Sequence, residues 1–200
     1  MATLLYSLAS PYARIARAVI RYLNVPNINE VISNPFENNA NLVEANPLAK
    51  IPCLIFDDHC ALFDSEVIIK YFDEKYGNNK LFGEKIDWQR AADFSMVKGL
   101  VDSAVGLRQE QMREEEGVRS RFWTERFEDA IVRAVKHIEA KKSNLYEVSG
   151  LSAEQLVLIC ALDYLDFRHP HLNWQSRAPQ LAKWANKQIQ KSCFLETQPK

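Results

Sequence analysis

NPLAKIPCLIFDDHCALFDSEVIIKYF, residues 46–72, decides the fold. It holds an X-Pro step, Ile51-Pro52, and two short apolar runs, 53–56 and 61–63, around Asp57-Asp58-His59. Short apolar runs joined by a polar tip read as paired strands with a turn between them. Asp64 or Ser65 then opens a helix, because Val67, Ile68, Tyr71 and Phe72 follow at helical spacing and both Asp and Ser are preferred caps. A helix N-terminus with a hydroxyl and spare N–H groups is a ready anion site, although the same pair is also an ordinary cap.

Upstream, residues 3–7 suit a buried strand. Ser10-Pro11 opens a helix, since Pro is at home in a first turn and Ser caps it. Ile15, Ala18, Val19, Tyr22 and Leu23 share one face, and Arg14, Arg17 and Arg21 form another stripe. Asn24-Val25-Pro26-Asn27 stops the helix. Residues 29–33 give a second strand and 39–44 a short helix. The order is strand, helix, strand, short helix, strand, strand, helix, which contains a βα unit and a closing hairpin.

Downstream, Gly77-Asn78-Asn79-Lys80 ends the third helix, strand signals stop, and 81–85 reads as a linker. Residues 87–116 carry a long helical pattern, with Trp88, Ala92, Ser95, Met96 and Gly99 along one stripe. Its end, RQEQMREEE, reads as a solvated face. A second long helix, 119–142, sets Trp123, Phe127, Ala130, Ile131, Ala134, Val135 and Ile138 on one face. Ser152 and Gln155 have the form of a capping box. The helix it opens, 156–167, is apolar on nearly every side and suits the centre of a helical domain. HPHLNWQSRAP reads as a loop, and 180–190 as a last helix with Leu181, Trp184, Ala185 and Ile189 inward. Two domains are expected, 1–80 and an all-helical 87–200.

Of the 200 residues, 47% are hydrophobic and 26% charged, the balance of a soluble globular protein with real cores. A net charge of −1 gives no general attraction to nucleic acid or to a membrane surface. Cys53, Cys60, Cys160 and Cys193 lack zinc spacing and suit buried thiols in a reducing compartment. His59, His137, His169 and His171 have no ligand-spaced partners, so no metal site is expected. The first residues lack a basic start and a long apolar core, and no apolar run approaches the roughly 18 residues of a spanning helix. These readings point to a cytoplasmic protein.

The segments together resemble the cytosolic glutathione S-transferase superfamily over nearly the whole chain. Ser10-Pro11-Tyr12 with Arg14 resembles the S-P-F-x-R segment of its serine-type members. Asn46 to Pro52 is similar to N-P-x-x-K-[VI]-P, and Asp64-Ser65 with Ile68 and Tyr71-Phe72 to [ED]-S-x-x-I-x-x-Y-[LF]. Ser152 and Gln155 stand at the family's N-capping box, which usually ends in Asp, and ALDYLDFRHPHLNW resembles a bacterial subgroup. The resemblance implies an α/β thioredoxin-like N-terminal domain (1–80, glutathione-binding), an all-α C-terminal domain, a cis Ile51-Pro52 bond and a twofold homodimer.

It also implies glutathione as co-substrate and conjugation of its thiolate to a small electrophile. Ser65 would give its hydroxyl and N–H groups to the γ-glutamyl carboxylate, and Asp64 would accept from the neighbouring ammonium. Ile51, held extended by Pro52, would pair its backbone with the cysteinyl unit, and Lys50 would reach a carboxylate. Ser10, capping a helix whose positive end faces the same point, would stabilise the thiolate. Ser10 also fits a purely capping role, and Tyr6 and Tyr12 are alternative hydroxyls. Arg14 would steady the thiolate or, preferably, pair within the protein; Cys53 reads as core. The electrophile pocket of this family lies between its domains, and Met96, Leu100, Ser103 and Arg108 are the candidates for it in this chain. Rival readings are a catalytically weak interaction protein on the same fold and a glutathione-dependent reductase or peroxidase; the latter is weakened by the absence of Cys at position 10.

Overall fold

The computed structural model describes residues 1–113, 117–141 and 150–200. The chain divides into two compact units, Met1–Lys85 with Lys191–Lys200, and Ile86–Gln190.

In the first unit the order is β1 (Ala2–Tyr6), α1 (Pro11–Tyr22), β2 (Ile28–Ile32), α2 (Ala40–Ala45), β3 (Cys53–Phe56), β4 (Ala61–Leu62) and α3 (Ser65–Phe72), followed by a π-helical turn at Asp73–Gly77. The sheet order is β2-β1-β3-β4. β1 runs parallel to β2 and antiparallel to β3, and β3 is antiparallel to β4. Leu5, Ile51 and Cys53 meet Leu42 of α2 in one buried cluster. Side chains alternate along a strand, so Tyr6 faces the other way, where the Arg17 guanidinium of α1 lies 4.3 Å over its ring. The arginine stripe of α1 is covered: Arg14 and Arg17 are 2% and 7% exposed. Arg17 Nε donates to Glu30 Oε2 at 2.8 Å, and Arg21 pairs with the same carboxylate. Burial alone would raise the Glu30 carboxyl, but the bonds from Arg21 and Arg17 outweigh it and hold it low.

The second unit contains α4 (Trp88–Gln111), α5 (Arg121–Lys141), α6 (Ala153–Arg168), α7 (Trp174–Arg177) and α8 (Pro179–Gln188). α6 is buried along almost its whole length, from Ala153 to Leu165. Its capping box is complete: the Gln155 N–H donates to Ser152 Oγ, and the Ser152 N–H to Gln155 Oε1 at 3.0 Å. The expected stripe of α4 turns out to be its outer side. Trp88 is 77% exposed and Ala92 and Ser95 are exposed, while Val97, Leu100, Val101, Ala104 and Leu107 face inward. Spacing marks a stripe but not which side of the helix the core covers, and the covered side is the one rich in Val and Leu. Glu110, in the charged end, is buried and accepts from the Ser120 N–H at 2.9 Å. The expected ends at Glu116 and Lys142 lie outside the described residues.

Polar ties position these helices. Arg90 Nε donates to Glu154 Oε1 at 2.9 Å, linking the starts of α4 and α6, and Lys141 reaches Asp93 at 2.5 Å. α8 has no side-chain cap of its own; Glu139 of α5 accepts from the Gln180 and Leu181 N–H groups at 3.1 and 2.8 Å. Gly106 lets α4 and α5 approach, since a Cβ there would lie 2.7 Å from the Phe127 ring. The stretch expected as a loop contains a 3-10 turn, Pro170–Leu172, and α7, where Trp174 donates to Asp166 at 2.7 Å. Single turns carry no periodicity, which is why they escape a sequence reading.

The last ten residues do not stay with the helical unit. Lys191–Lys200 belongs to the first unit, and α9 (Ser192–Leu195) packs on α1. Phe194 and Thr197 are almost fully buried, and Arg14 donates to the Phe194 carbonyl at 3.4 Å.

Candidate functional site

The register of the sheet gathers four chain segments at one end. Leu5 pairs with Cys53, so the end of β1 lies beside the start of β3. Leu54 pairs with Leu62, which brings the end of β4 to the same place, and Tyr6 pairs with Ile32 at the end of β2. The segments before Ser10, before Cys53, after Leu62 and after Ile32 therefore leave the sheet at one edge. In an open sheet such an edge is where ligands bind.

Ser10 is the N-cap of α1, and its Oγ accepts from the Ala13 N–H at 3.2 Å. That bond uses a lone pair and leaves the hydroxyl proton available to donate. Tyr6, one of the other hydroxyls, lies beneath Arg17, two turns along α1 from Ser10. Tyr12 is half-buried within the first turn.

Ile51-Pro52 is a cis peptide bond, as the resemblance implies. Ile51 stands outside the β1–β3 ladder, which ends at Cys53. The loop before it is held by Asn46, 1% exposed, a residue that sequence reading used only as part of a motif. Asn46 Nδ2 donates to the Lys50 carbonyl at 2.8 Å, and its Oδ1 accepts from the Leu48 N–H at 3.1 Å. Ala49 takes a left-handed φ of 51°, uncommon for a residue with a Cβ, inside this bonded loop. The Lys50 side chain is exposed.

Of the two cap candidates, Asp64 is the N-cap: its Oδ1 accepts from the Glu66 N–H at 2.9 Å. The Phe63-Asp64 peptide is also cis. Ser65 is the first residue of α3 and is 3% exposed. Capping by Asp64 leaves the Ser65 hydroxyl uncommitted to the helix end, a division of labour that composition could not assign.

Other candidates fall elsewhere. Burial pushes the Cys53 thiol up to about 11, so it stays protonated at neutral pH. In α4, Leu100 is 2% exposed and faces inward, while Met96 and Ser103 are half-buried, with Ser103 Oγ donating to the Gly99 carbonyl at 2.8 Å. Arg108 is half-buried, about a third of a turn around the helix from Met96. No group of His, Cys, Asp and Glu among the described residues is arranged to hold a metal ion. No helix among them is long and apolar enough to cross a membrane.

Residues 4–80 match the family described as Glutathione S-transferase, N-terminal domain. A curated relative, the uncharacterized GST-like protein YibF of Escherichia coli (strain K12), is 24% identical over 182 residues, 86% of this chain and 85% of the relative. The chain is similar in structure to a glutathione S-transferase from Methylobacillus flagellatus KT solved with GSH bound (27% identical, TM-score 0.90, all of both chains covered). It is similar, at 31% identity and TM-score 0.93, to a glutathione transferase family member from Pseudomonas fluorescens Pf-5 with bound glutathione, again over 100% of each chain. With a full-length relative at that identity and the four-stranded first unit followed by helices, the chain belongs to the glutathione S-transferase superfamily.

Proposed function

We propose that the protein is a serine-type glutathione transferase that joins the glutathione thiolate to small electrophiles. The observation that carries this reading is the gathering of Ser10, Ile51-Pro52 and Asp64-Ser65 at one sheet edge by the strand register. Its support from outside the chain is the glutathione bound by the Pseudomonas and Methylobacillus relatives.

On this reading the start of α3 takes the γ-glutamyl end. The Ser65 hydroxyl and N–H groups meet its carboxylate, and Asp64 meets its ammonium. Ile51 pairs its backbone with the cysteinyl unit, and Lys50 supplies a point charge for a carboxylate. The thiol then lies at the start of α1, where the Ser10 hydroxyl and the helix end favour the thiolate. The sulfur attacks the electrophilic carbon, a C–S bond forms, and the leaving group departs with its bonding pair. The thiol proton goes to solvent. Met96, Leu100, Ser103 and Arg108 are proposed to meet the electrophile.

Calorimetric titration tests the grip. Wild type should bind glutathione, and Ser65→Ala should bind about tenfold or more weakly, because one charge-assisted hydrogen bond is lost. No binding by wild type would end the glutathione reading, and equal binding by the variant would remove Ser65 from it.

The protein is further proposed to act in the cytoplasm as a homodimer joined about a twofold axis. Light scattering at micromolar concentration should report twice the chain mass, and a monomer there would overturn the dimer.

A further inference from the structure

The chain ends in a segment that does not hold its own shape. α9 is only four residues long, and a helix of one turn is not stable in water by itself. A chain terminus is ordered where something ties it down. Here the ties are Cys193, Phe194 and Thr197, at 3%, 0% and 1% exposure, with Thr197 Oγ1 donating to the Cys193 carbonyl at 2.7 Å. Their neighbours Lys191, Ser192, Leu195 and Glu196 are exposed.

The arginine stripe of α1 meets this segment at both ends. Arg14 and Arg21 are seven residues apart, two turns along one side of the helix. Arg14 Nη2 donates to the Phe194 carbonyl at 3.4 Å, and Arg21 Nε lies 3.7 Å from Glu196 Oε2. The hold is uneven. An open cleft of about 570 Å³, lined by Ile20, Arg21, Asn24, Glu30, Ser192 and Glu196 among others, lies on the Glu196 side. Close packing is concentrated at Phe194, whose carbonyl meets the first-turn arginine.

Arg14 joins that seat to Ser10. Its backbone N–H donates to the Ser10 carbonyl at 3.0 Å, while its guanidinium reaches Phe194. Ser10 Oγ accepts from the Ala13 N–H in the same turn. Two hydrogen bonds in series thus run between Phe194 and the residue proposed to face the thiol. A close-packed interior passes a displacement on instead of absorbing it.

We propose that Phe194 is a positioning residue for Ser10: the seating of residues 191–200 on α1 sets the first turn of that helix for the thiolate. The inference rests on the transferase reading above. Ser10 acts on sulfur through one directed hydrogen bond, and a shift on the order of 1 Å in such a group costs up to about a hundredfold in rate.

The experiment measures kcat and KM across pH for wild type, Phe194→Leu and Phe194→Ala, with glutathione and 1-chloro-2,4-dinitrobenzene. Phe194→Ala should lower kcat about tenfold and move the pH–rate profile to higher pH, with glutathione KM within about twofold of wild type. Phe194→Leu, which refills most of the seat, should keep most of the rate. A wild-type rate in Phe194→Ala overturns the proposal. So does a lower rate with an unchanged profile, which a smaller folded fraction would give. If Phe194→Ala does not fold, Thr197→Val carries the same comparison, since it removes only the Oγ1 donor to the Cys193 carbonyl and should show a shift of the same sign, about threefold in kcat.

Hydrogen exchange decides independently of turnover. In Phe194→Ala the Ala13 and Arg14 amides should exchange about tenfold faster, while the amides of β1 and β3 keep their rates. Equal acceleration throughout the unit would make Phe194 a stability residue only and overturn the proposal. Selective acceleration in a protein that conjugates nothing would remove the transferase reading and leave the hold of Phe194 on the first turn.

Discussion

Ser10→Ala is expected to lower kcat/KM for a chlorodinitrobenzene about a hundredfold, the order seen when one donor to a developing or resident anion is removed. Glutathione affinity should hardly change, because the binding contacts proposed at Asp64-Ser65 belong to another helix. The physical argument starts from the thiol, whose free pKa is about 8.5. Near neutral pH a few per cent is thiolate, and each unit of lowering is worth about 1.4 kcal/mol. Ser10 Oγ accepts from the Ala13 N–H, so its proton is the part of the group that can be turned towards sulfur. The pH–rate profile of the variant should therefore move to higher pH.

Ser10→Ala also removes a helix cap, which costs about 1 kcal/mol by itself. Ser10→Gly separates the two effects, since glycine caps nearly as well but has no hydroxyl. Both variants should lose rate to a similar extent. If Ser10→Gly keeps the wild-type rate and profile, the role passes to the helix end or to another hydroxyl.

Asp73→Ala should destabilise the protein by about 3 kcal/mol, read as a fall in the urea midpoint without a change in slope. Asp73 is 1% exposed. Its carboxylate accepts from the Leu81 N–H at 3.0 Å and the Phe82 N–H at 2.9 Å. These bonds fold residues 78–82 back onto the π-helical turn that extends α3. Asn78 and Asn79, both at positive φ, make the reversal. Asp73→Ala takes the acceptor from both amides in a dry place, whereas Asp73→Asn retains one oxygen and should lose less. Gly77 belongs to the same device, because a Cβ there would collide with the Asp73 carboxylate. A midpoint unchanged in Asp73→Ala would show that the amides find water and that the clamp is dispensable.

Local chemistry made much of the first unit legible. The strand at 53–56 is found as read, because four apolar residues between a proline and a polar turn have few alternatives. The helix opened by Ser10-Pro11 begins at Pro11, and the capping box at Ser152 forms in full. Features resting on distant partners were not legible. Nothing around Glu139 announces that it caps a helix 40 residues on, and Asp73 looks like any exposed acid at the end of a helix. The inner face of α4, with Val97, Leu100, Val101, Ala104 and Leu107, depends on which neighbours the helix meets, and the spacing of Trp88, Ala92, Ser95, Met96 and Gly99 does not announce it.

The return of residues 191–200 to the first unit sets an order on synthesis. A ribosome delivers Met1–Lys85 first and must then make all of Ile86–Gln190 before Phe194 exists. At 5–20 residues per second that interval is about 5–20 s. Throughout it, the side of α1 that Phe194 covers in the finished protein is without its cover, and Arg14 is without the Phe194 carbonyl. The unit that starts the chain is thus completed only by its last residues, after the helical unit has had its full length in which to fold.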